Sequence, residues 1–336
     1  MTTHRPRVLI THWVHPAVTA FLEPHAEVIG NTTRTTWPAV DVLARARDCD
    51  ALMAFMPDAV NEAFLAECPR LRIVAAALKG PDNFDIAACT RRGVWFTLVP
   101  DLLTVPTAEL AIALLLGITR RVLEGDDHVR SSAFNGWRPE LYGTGLGGRT
   151  LGIIGMGAVG QAIAARLAAF GVHIVYADPR TPALPAGVNA ERMDVQRVIA
   201  TSDILMPLTH LTAETYHLID AAALAAMKPG AYLVNVGRGA LVDEAAVADS
   251  LARGSLAGYA ADVFELEDWA IAGRPREIHP RLRADRARTL FTPHLGSAVD
   301  SVREAIALEA AANIVDVLQG RRPRGAVNEP RLAATA

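Results

Sequence analysis

Three glycines form the strongest chemical pattern in this sequence. Gly155, Gly157 and Gly160 have the spacing G-x-G-x-x-G, after the apolar run 151–154 and before an alanine-rich run. In a strand–loop–helix unit, the first glycine permits a sharp turn, the second lets a pyrophosphate approach the backbone, and the third lets the helix pack close to the sheet. The helix amino terminus adds N–H groups and a partial positive charge. The pattern therefore predicts a dinucleotide-binding loop. The same loop contains Met156, Ala158 and Val159.

An acidic residue after the next predicted strand indicates which dinucleotide binds. Asp178 follows the run 173–176, where its carboxylate can accept hydrogen bonds from both ribose hydroxyls and repel a 2′-phosphate. The sequence therefore predicts NAD as the cofactor, in preference to NADP. Arg180 lies two residues later and opposes that preference, because it can hold a 2′-phosphate. The alternative, a flexible glycine loop without a ligand, is disfavoured because both strands, the helix and the carboxylate are in place.

Composition excludes several other classes of function. The chain has 336 residues, enough for two domains, and its net charge of -3 disfavours a nucleic-acid partner. The most apolar run, 110–118, is too short to span a membrane, so no membrane partner is expected. Cys49, Cys68 and Cys89 form no C-x-x-C pair and no signal peptide is visible, which favours a cytoplasmic protein with reduced thiols. The histidines show no metal-ligand spacing, so no metal site is expected.

Predicted strands and helices alternate along the chain, which favours an α/β fold with parallel sheets. Strands are expected at residues 8–11, 27–30, 51–55, 71–78, 94–97, 151–154, 173–176, 204–206, 232–236, 258–261 and 290–292. Helices are expected at 14–22, 39–47, 61–68, 85–92, 107–122, 161–170 and 299–318, with Asn61 and Ser297 as caps. The last helix is long enough to return to the first domain, which would then contain both chain ends.

Polar residues that follow predicted strands are the candidates for chemistry, because ligands of open α/β sheets bind beyond the carboxyl ends of strands. Each alone is more often a surface charge or a salt-bridge partner, but together they suit hydride transfer. An arginine grips an anionic substrate in a fork. A histidine moves a proton near neutral pH, and a carboxylate orients it. The candidates are Lys79, Asn235, Arg238, Asp262, Glu265, Glu267 and His294.

With these residues in place, the sequence resembles the D-2-hydroxyacid dehydrogenase family over almost its whole length. The resemblance lies in the glycine loop with Asp178, residues 235–239 and 262–267, and the Pro-His-x-Gly-Ser stretch 293–297. It implies a two-domain α/β fold: a Rossmann NAD-binding domain, residues 104–299, is inserted into a flavodoxin-like substrate domain, residues 1–103 and 300–336. Both domains would have parallel sheets, and the protein would be a homodimer.

The resemblance also assigns roles to individual residues. The implied catalytic residues are Arg238, Glu267 and His294. The implied substrate-binding residues are Lys79, Gly80, Met56, Arg238, Trp137, Tyr142 and Ser297. The implied cofactor-binding residues, besides the glycine loop and Asp178, are Thr104, Pro207, Val236, Gly237, Arg238, Asp262, His294 and Gly296.

Within the family, longer stretches resemble the phosphite dehydrogenases, which implies oxidation of phosphite to phosphate with hydride transfer to NAD. These stretches are residues 53–58, 77–80, 99–109, 142–146 and 258–269. Charge favours the same interpretation, because phosphite is largely a dianion near neutral pH and Lys79 would supply a second cation beside Arg238. Two alternatives stay open. The substrate is a small D-2-hydroxy or 2-oxo acid, or the chain is an NAD-sensing interaction protein.

Two segments predict an interface between subunits. The helix at 107–122 is apolar around most of its circumference, and residues 131–148 form a long arm with Trp137 and Tyr142. We expect both to build a two-fold dimer interface, with the arm reaching toward the substrate. The alternative is that the apolar helix is buried inside one subunit.

Overall fold

The chain forms two compact units. The computed structural model describes residues 5–132, 134–268, 271 and 273–330. One unit contains the residues up to Leu103 and those from Ala298 onward, and the other is Thr104–Ser297. The resemblance implies that the inserted domain ends at residue 299, two residues later than the boundary in the structure. Trp269, the end of one resembling stretch, lies outside the described residues.

The strands lie in two parallel sheets, one in each unit. The first sheet contains β1 (Arg7–Ile10), β2 (Glu27–Gly30), β3 (Ala51–Ala54), β4 (Ile73–Ala76) and β5 (Trp95–Thr97). The second contains β6 (Thr150–Ile154), β7 (His173–Ala177), β8 (Ala190–Arg192), β9 (Ile204–Pro207), β10 (Ala231–Asn235), β11 (Leu256–Ala261) and β12 (Thr289–Phe291).

The helices alternate with these strands. They are α1 (Pro16–Leu22), α2 (Ala39–Ala46), α3 (Glu62–Glu67), α4 (Ile86–Arg91), α5 (Thr104–Thr119), α6 (Val122–Arg130), α7 (Ala158–Leu167), α8 (Val195–Thr201), α9 (Ala221–Ala226), α10 (Glu244–Arg253), α11 (Pro280–Ala284) and α12 (Asp300–Leu318). None of the described helices is both long enough and apolar enough to cross a membrane.

The first unit has the flavodoxin-like strand order β2-β1-β3-β4-β5. Alternate residues of β1 face opposite layers: Val8 and Ile10 pack with α1 and α12, while Leu9 packs with the layer that contains α2, α3 and α4. As predicted, Asn61 caps α3, since its Oδ1 accepts a hydrogen bond from the Phe64 amide at 3.0 Å. The expected α/β architecture is confirmed for this unit.

The second unit has the strand order β12-β11-β10-β9-β6-β7-β8, with every pair parallel. Helices α5 and α7 cover one face, and α8 to α11 cover the other. The chain leaves β6 toward β7 on one side and later returns to β9 on the other. A Rossmann sheet binds its ligand at such a switch point, beyond the carboxyl ends of the strands.

The predicted single helix at 107–122 is wrong at both ends. Helix α5 begins at Thr104, because Pro106 is tolerated in the first turn of a helix, and it ends at Thr119. Arg121 then has a left-handed φ of 53°, and the separate helix α6 follows. Residues Ala111, Leu115 and Ile118 of α5 are buried within their own unit. Packing inside one subunit therefore accounts for much of the apolar composition that suggested an interface.

Three smaller expectations also need correction. Ser297 does not cap the last helix, since the residue before its first turn is Val299 and no side chain caps it. The helix after the glycine loop begins at Ala158, directly after Gly157, and not at residue 161. The edge strand β8 and the helices α8 to α11 were not predicted, because all of them except α10 span seven residues or fewer and give too short a periodic pattern.

Candidate active site

The three glycines of the β6–α7 loop differ in what surrounds them. Gly155 has a φ of +103°, and a Cβ there would lie 2.7 Å from the Leu208 carbonyl carbon. A Cβ on Gly160 would lie 2.5 Å from the Gly155 oxygen, so α7 packs tightly on the strand. A Cβ on Gly157 would meet no described atom within 4 Å. The open space above Gly157, beside the amino terminus of α7, fits a dinucleotide pyrophosphate.

Asp178 follows β7 and faces this loop. Its Oδ2 accepts a hydrogen bond from the Met156 amide at 2.9 Å, and its Oδ1 accepts one from the Arg180 amide at 2.8 Å. Each carboxylate oxygen can accept a second bond, so both remain able to bind ribose hydroxyls. Arg192 of β8 donates to the Asp178 carbonyl at 2.9 Å. Sequence reasoning missed Arg192, which adds a second guanidinium near Arg180 at this strand end.

The other candidate cofactor residues lie at the ends of neighbouring strands. Pro207 ends β9, and Val236 and Gly237 follow β10. A Cβ on Gly237 would lie 2.8 Å from the Pro207 carbonyl oxygen, so these two segments are in contact. Thr104 begins α5, in the same unit. The structure thus brings the predicted cofactor residues to the carboxyl edge of one sheet.

A carboxylate and an imidazole make direct contact beyond β11 and β12. Glu267 Oε2 lies 2.6 Å from His294 Nδ1, and both side chains are partly buried. The second oxygen, Oε1, accepts a hydrogen bond from the Phe264 amide at 2.8 Å. Because an ionised carboxylate can only accept, Nδ1 carries the proton. Nε2 of His294 is then the nitrogen that can exchange a proton with a substrate.

Asp262 holds the loop that carries His294. Its Oδ1 accepts hydrogen bonds from the Leu295 amide at 2.7 Å and the Thr292 hydroxyl at 2.6 Å. Its Oδ2 accepts one from the Gly296 amide at 2.8 Å. Burial raises the pKa of Asp262, and these hydrogen bonds oppose the shift. His294 has a left-handed φ of 57°, a conformation that the anchored loop maintains.

Arg238 follows β10, the neighbour of β11 in the sheet. Its backbone is held by buried Asn235, whose Nδ2 donates to the Arg238 carbonyl at 2.8 Å and whose Oδ1 accepts from the Gly237 amide at 3.0 Å. The half-buried guanidinium donates through Nη1 to the Gly237 carbonyl at 2.9 Å. Arg238, Glu267 and His294 therefore follow three adjacent strands of one sheet.

Three further substrate candidates belong to the first unit. Met56 follows β3, and Lys79 and Gly80 follow its neighbour β4. Asn83 Nδ2 donates to the Met56 carbonyl at 2.9 Å, which joins the two loops. Lys79 is half-buried, and burial lowers the pKa of its ammonium group while Asp101 opposes the shift. The loops therefore offer a partly desolvated cation at the carboxyl edge of the first sheet.

The remaining substrate candidates are placed differently. Ser297 is buried, at 6% exposed, in the loop after His294. Trp137 and Tyr142 are 83% and 71% exposed. The arm is anchored nearby through the Thr144 hydroxyl, 3.1 Å from the Tyr232 hydroxyl near the amino end of β10. That end of the strand is opposite to the one that Arg238 follows, so the arm's anchor lies away from Arg238 within one chain.

A cavity in the first unit was not predicted. It has a volume of about 380 Å³ and lies beyond the carboxyl ends of β1 and β3, lined by His12, Trp13, Arg34, Phe55 and Arg303 among others. Burial, with Arg303 adding to it and Asp58 opposing it, lowers the pKa of His12. Sequence patterns gave no sign of it, because α12 brings Arg303 to this strand end from the far end of the chain.

Among the described residues, no group of three or more His, Cys, Asp or Glu side chains is placed to hold a metal ion.

Comparison with known families decides the class of this protein. A model described as "D-isomer specific 2-hydroxyacid dehydrogenase, NAD binding domain" matches residues 112–296. This range lies inside the second unit and contains the glycine loop and the Glu267–His294 pair. The chain belongs to this family. It is an NAD-dependent oxidoreductase of the 2-hydroxyacid dehydrogenases, so the predicted NAD cofactor and the fold class are confirmed. The preference for NAD over NADP stays a prediction.

Relatives of this dehydrogenase match it over almost its whole length. The glyoxylate reductase of Thermococcus litoralis is 36% identical over 337 residues, 98% of this chain and 99% of the relative. The glyoxylate reductase of Aeropyrum pernix is 38% identical over 330 residues, 96% of each chain. The crystal structure of the TT0316 protein of Thermus thermophilus has a TM-score of 0.87 at 34% identity and covers 96% of this chain and 100% of that chain.

A further solved structure contains a cofactor. It is the NADPH-dependent glyoxylate/hydroxypyruvate reductase of Sinorhizobium meliloti in complex with NADP and malonate, with a TM-score of 0.83 at 30% identity. It covers 99% of this chain and 100% of that chain. The narrower resemblance to phosphite dehydrogenases is not among these findings, which name the 2-hydroxyacid family and glyoxylate reductases.

Proposed function

We propose that this dehydrogenase interconverts a small D-2-hydroxy acid and the corresponding 2-oxo acid, with NAD as the hydride carrier. The contact between Glu267 and His294 at 2.6 Å, next in the sheet to the strand that Arg238 follows, carries this proposal. The names of the relatives support it, because glyoxylate is a small 2-oxo acid.

Each candidate residue has a task in this reaction. The Arg238 guanidinium binds the substrate carboxylate in a fork. In the oxidative direction the C2 hydrogen leaves with its electron pair, and the nicotinamide supplies the hydride acceptor. His294 Nε2 takes the hydroxyl proton as the C–O bond becomes a carbonyl. The Glu267 carboxylate stabilises the imidazolium that forms, since opposite charges in contact favour the charged state.

Lys79 favours phosphite as a second candidate substrate. One arginine suffices for a carboxylate, whereas a dianion calls for a second cation, and Lys79 is half-buried at the edge of the first sheet. In this reaction the phosphorus-bound hydrogen leaves as hydride while water adds to phosphorus. His294 takes the proton of this water, or Arg238 assists the water instead. The resembling stretches 53–58, 77–80 and 99–109 support this candidate.

NADH absorbance at 340 nm distinguishes the two substrates. Phosphite, glycolate, D-lactate and D-glycerate are supplied separately at equal enzyme concentration, and glyoxylate reduction is followed in reverse. Faster turnover of any hydroxy acid than of phosphite supports the first proposal and defeats the second. Turnover with none of them, together with recovery of a stoichiometric protein partner, would instead favour the NAD-sensing alternative.

The Lys79→Met variant tests the role of the second cation. If phosphite is the substrate, we expect kcat/KM to fall at least about 100-fold, because a desolvated charge pair is lost. If a 2-hydroxy acid is the substrate, we expect a change below about threefold. Lys228→Met is the matched control, since Lys228 pairs with Asp203 in the second unit at 3.1 Å, away from the candidate residues.

We also propose a homodimer formed by α6 and the arm. Six large apolar side chains in this part of the chain are between 50% and 83% exposed, which is unusual for a surface that stays in water. They are Val122, Leu123, Val129, Phe134, Trp137 and Tyr142. The arm is anchored near the amino end of β10, away from Arg238 of its own chain. In the dimer we therefore expect its aromatic residues to act at the substrate site of the partner subunit.

A further inference from the structure

The loops after β10 and β11 are locked to each other. Gly239 lies against the peptide group of Phe264, because a Cβ on Gly239 would lie only 1.9 Å from the Phe264 carbonyl carbon. The Ala240 amide donates a hydrogen bond to Asp268 Oδ2 at 2.6 Å. A shift of one loop therefore displaces the other, together with the candidate arginine and glutamate that they carry.

Two buried glutamates exchange hydrogen bonds behind these loops. Glu244 is 3% exposed and Glu265 is 6% exposed. The amide of each donates to the Oε1 atom of the other, at 3.1 Å in both directions. Burial, together with repulsion from Glu265 and Glu267, raises the pKa of the Glu244 carboxyl, and hydrogen bonds from the His279 and Glu265 amides oppose the shift. Carboxyl groups this close in a desolvated site need polar partners that hold their orientation.

His217 supplies such a polar partner to Glu265. Its Nε2 is 2.9 Å from Glu265 Oε2, and the Tyr216 ring stacks on its imidazole with the ring centroids 4.0 Å apart. The His217 amide also donates to the Ala240 carbonyl at 2.8 Å, so this residue contacts both locked loops. Its φ of 50° is left-handed, which is costly for histidine and persists only where the surroundings fix it. Besides Glu265, the charged groups near the stacked Tyr216 are Asp243 and Asp268.

Glu265 is also the first residue of the single turn that presents Glu267. The Asp268 amide donates to the Glu265 carbonyl at 3.2 Å, and the Glu267 amide donates to the Phe264 carbonyl at 3.0 Å. Since Glu267 Oε1 is held by the Phe264 amide, Oε2 can reach His294 only while this turn keeps its orientation. A tilt at Glu265 is therefore transmitted directly to the Glu267 carboxylate.

We propose that His217 and Glu265 are positioning residues, which act through the Glu265–Glu267 turn to keep Glu267 in contact with His294. This proposal rests on the roles of Glu267 and His294 in the proposed function. It differs from a general contribution to stability, because it predicts a specific loss of the Glu267–His294 hydrogen bond.

The test compares His217→Asn with the wild-type protein. Asparagine tolerates a left-handed φ, so the backbone is kept, but its shorter side chain cannot reach Glu265. His173→Asn is the matched control, because His173 is an exposed histidine at the amino end of β7 in the same unit. The full-length, NAD-saturated proteins are studied by proton NMR. A downfield imidazole N–H resonance reports the strong hydrogen bond to the carboxylate, and its absence in His294→Gln assigns it.

We expect the resonance to disappear in His217→Asn and to persist in His173→Asn. Turnover should fall at least about tenfold, with KM for NAD unchanged, because a small misplacement of a catalytic group is costly. Glu265→Gln added to His217→Asn should cause little further loss, since the two residues act as a unit.

An unchanged resonance in His217→Asn overturns the proposal, as does its absence from the wild-type spectrum. Equal loss of thermal stability and turnover with the resonance intact also overturns it, since that pattern indicates a structural role only. The resonance is read without a substrate. Failure of the proposed reaction is distinguishable, because it would leave the resonance in the wild-type spectrum while the wild-type protein turns over no 2-hydroxy acid.

Discussion

At the scale of a single residue, we expect the carboxylate of Asp178 to govern the choice between the two nicotinamide cofactors. Its oxygens already accept the Met156 and Arg180 amides at 2.9 and 2.8 Å, so the side chain is fixed in orientation. A fixed negative charge repels a 2′-phosphate more strongly than a mobile one does. The exposed guanidinium groups of Arg180 and Arg192 beside it favour the phosphate, and the preference is the balance of these effects.

We predict that the wild-type enzyme prefers NAD over NADP by at least about tenfold in kcat/KM, roughly 1.4 kcal/mol. In Asp178→Ser the ratio should fall by at least about tenfold, because the repulsion is lost while both guanidinium groups remain. Steady-state kinetics with the two cofactors at a fixed substrate concentration measure the ratio. Asp249→Ser, a change at an exposed carboxylate on α10, is the control. Similar ratios in the wild type and Asp178→Ser would mean that Asp178 does not set the preference.

At the scale of the element, two glycines of the loop between β6 and α7 differ in how much space surrounds them. The Cβ of an alanine at position 160 would overlap the Gly155 oxygen at 2.5 Å, whereas one at position 157 would meet no described atom within 4 Å. The backbone of Gly157, with φ -74° and ψ -165°, is accessible to alanine. Gly160→Ala should therefore act mainly on stability, and Gly157→Ala mainly on cofactor affinity.

We predict that Gly160→Ala lowers the free energy of unfolding by about 1–3 kcal/mol, because α7 must move away from the strand. Gly157→Ala should change it by less than about 0.5 kcal/mol. Gly157→Ala should nevertheless weaken NAD binding at least about tenfold, because its methyl group occupies the open space above the loop. Thermal melts and fluorescence titration with NAD measure the two quantities. A stable Gly157→Ala protein with unchanged NAD affinity would show that the pyrophosphate does not bind at this position.

Local patterns made these elements predictable, and distant contacts explain what was missed. The glycine loop, the buried strands and the polar residues after them are encoded in runs of a few neighbouring residues. The contact between His217 and Glu265 joins residues 48 apart, and no spacing rule links them. Helix α6 was not predicted because its mixed polar sequence has no continuous apolar stripe, and the start of α5 differs because a proline in the first turn does not by itself mark a helix start.

For the whole molecule, the exposed apolar residues of α6 and the arm lead to a prediction about assembly. Light scattering at micromolar protein should give twice the 35.9 kDa mass of one chain. Trp137→Ala should lower kcat/KM at least about tenfold while it leaves the melting temperature within about 2 °C, because Trp137 is exposed in its own subunit. Phe21→Ala, at a 41% exposed side chain of α1, is the control. A mass near that of one chain would exclude the dimer, and an unchanged kcat/KM would exclude the arm from the substrate site.

Helix α12 also sets the order in which the protein can fold during synthesis. Its buried residues Ile306, Ala310 and Ile314 cover the same sheet face as Val8 and Ile10. When this sheet emerges from the ribosome, that face is not yet covered. It stays exposed until residue 318 has been added, roughly 10 to 40 s after residue 103 at typical rates of elongation. The inserted unit, continuous from Thr104 to Ser297, can complete its core during that interval. In the nascent chain the β1–β5 sheet is therefore the part that chaperones would shield, although it is made first.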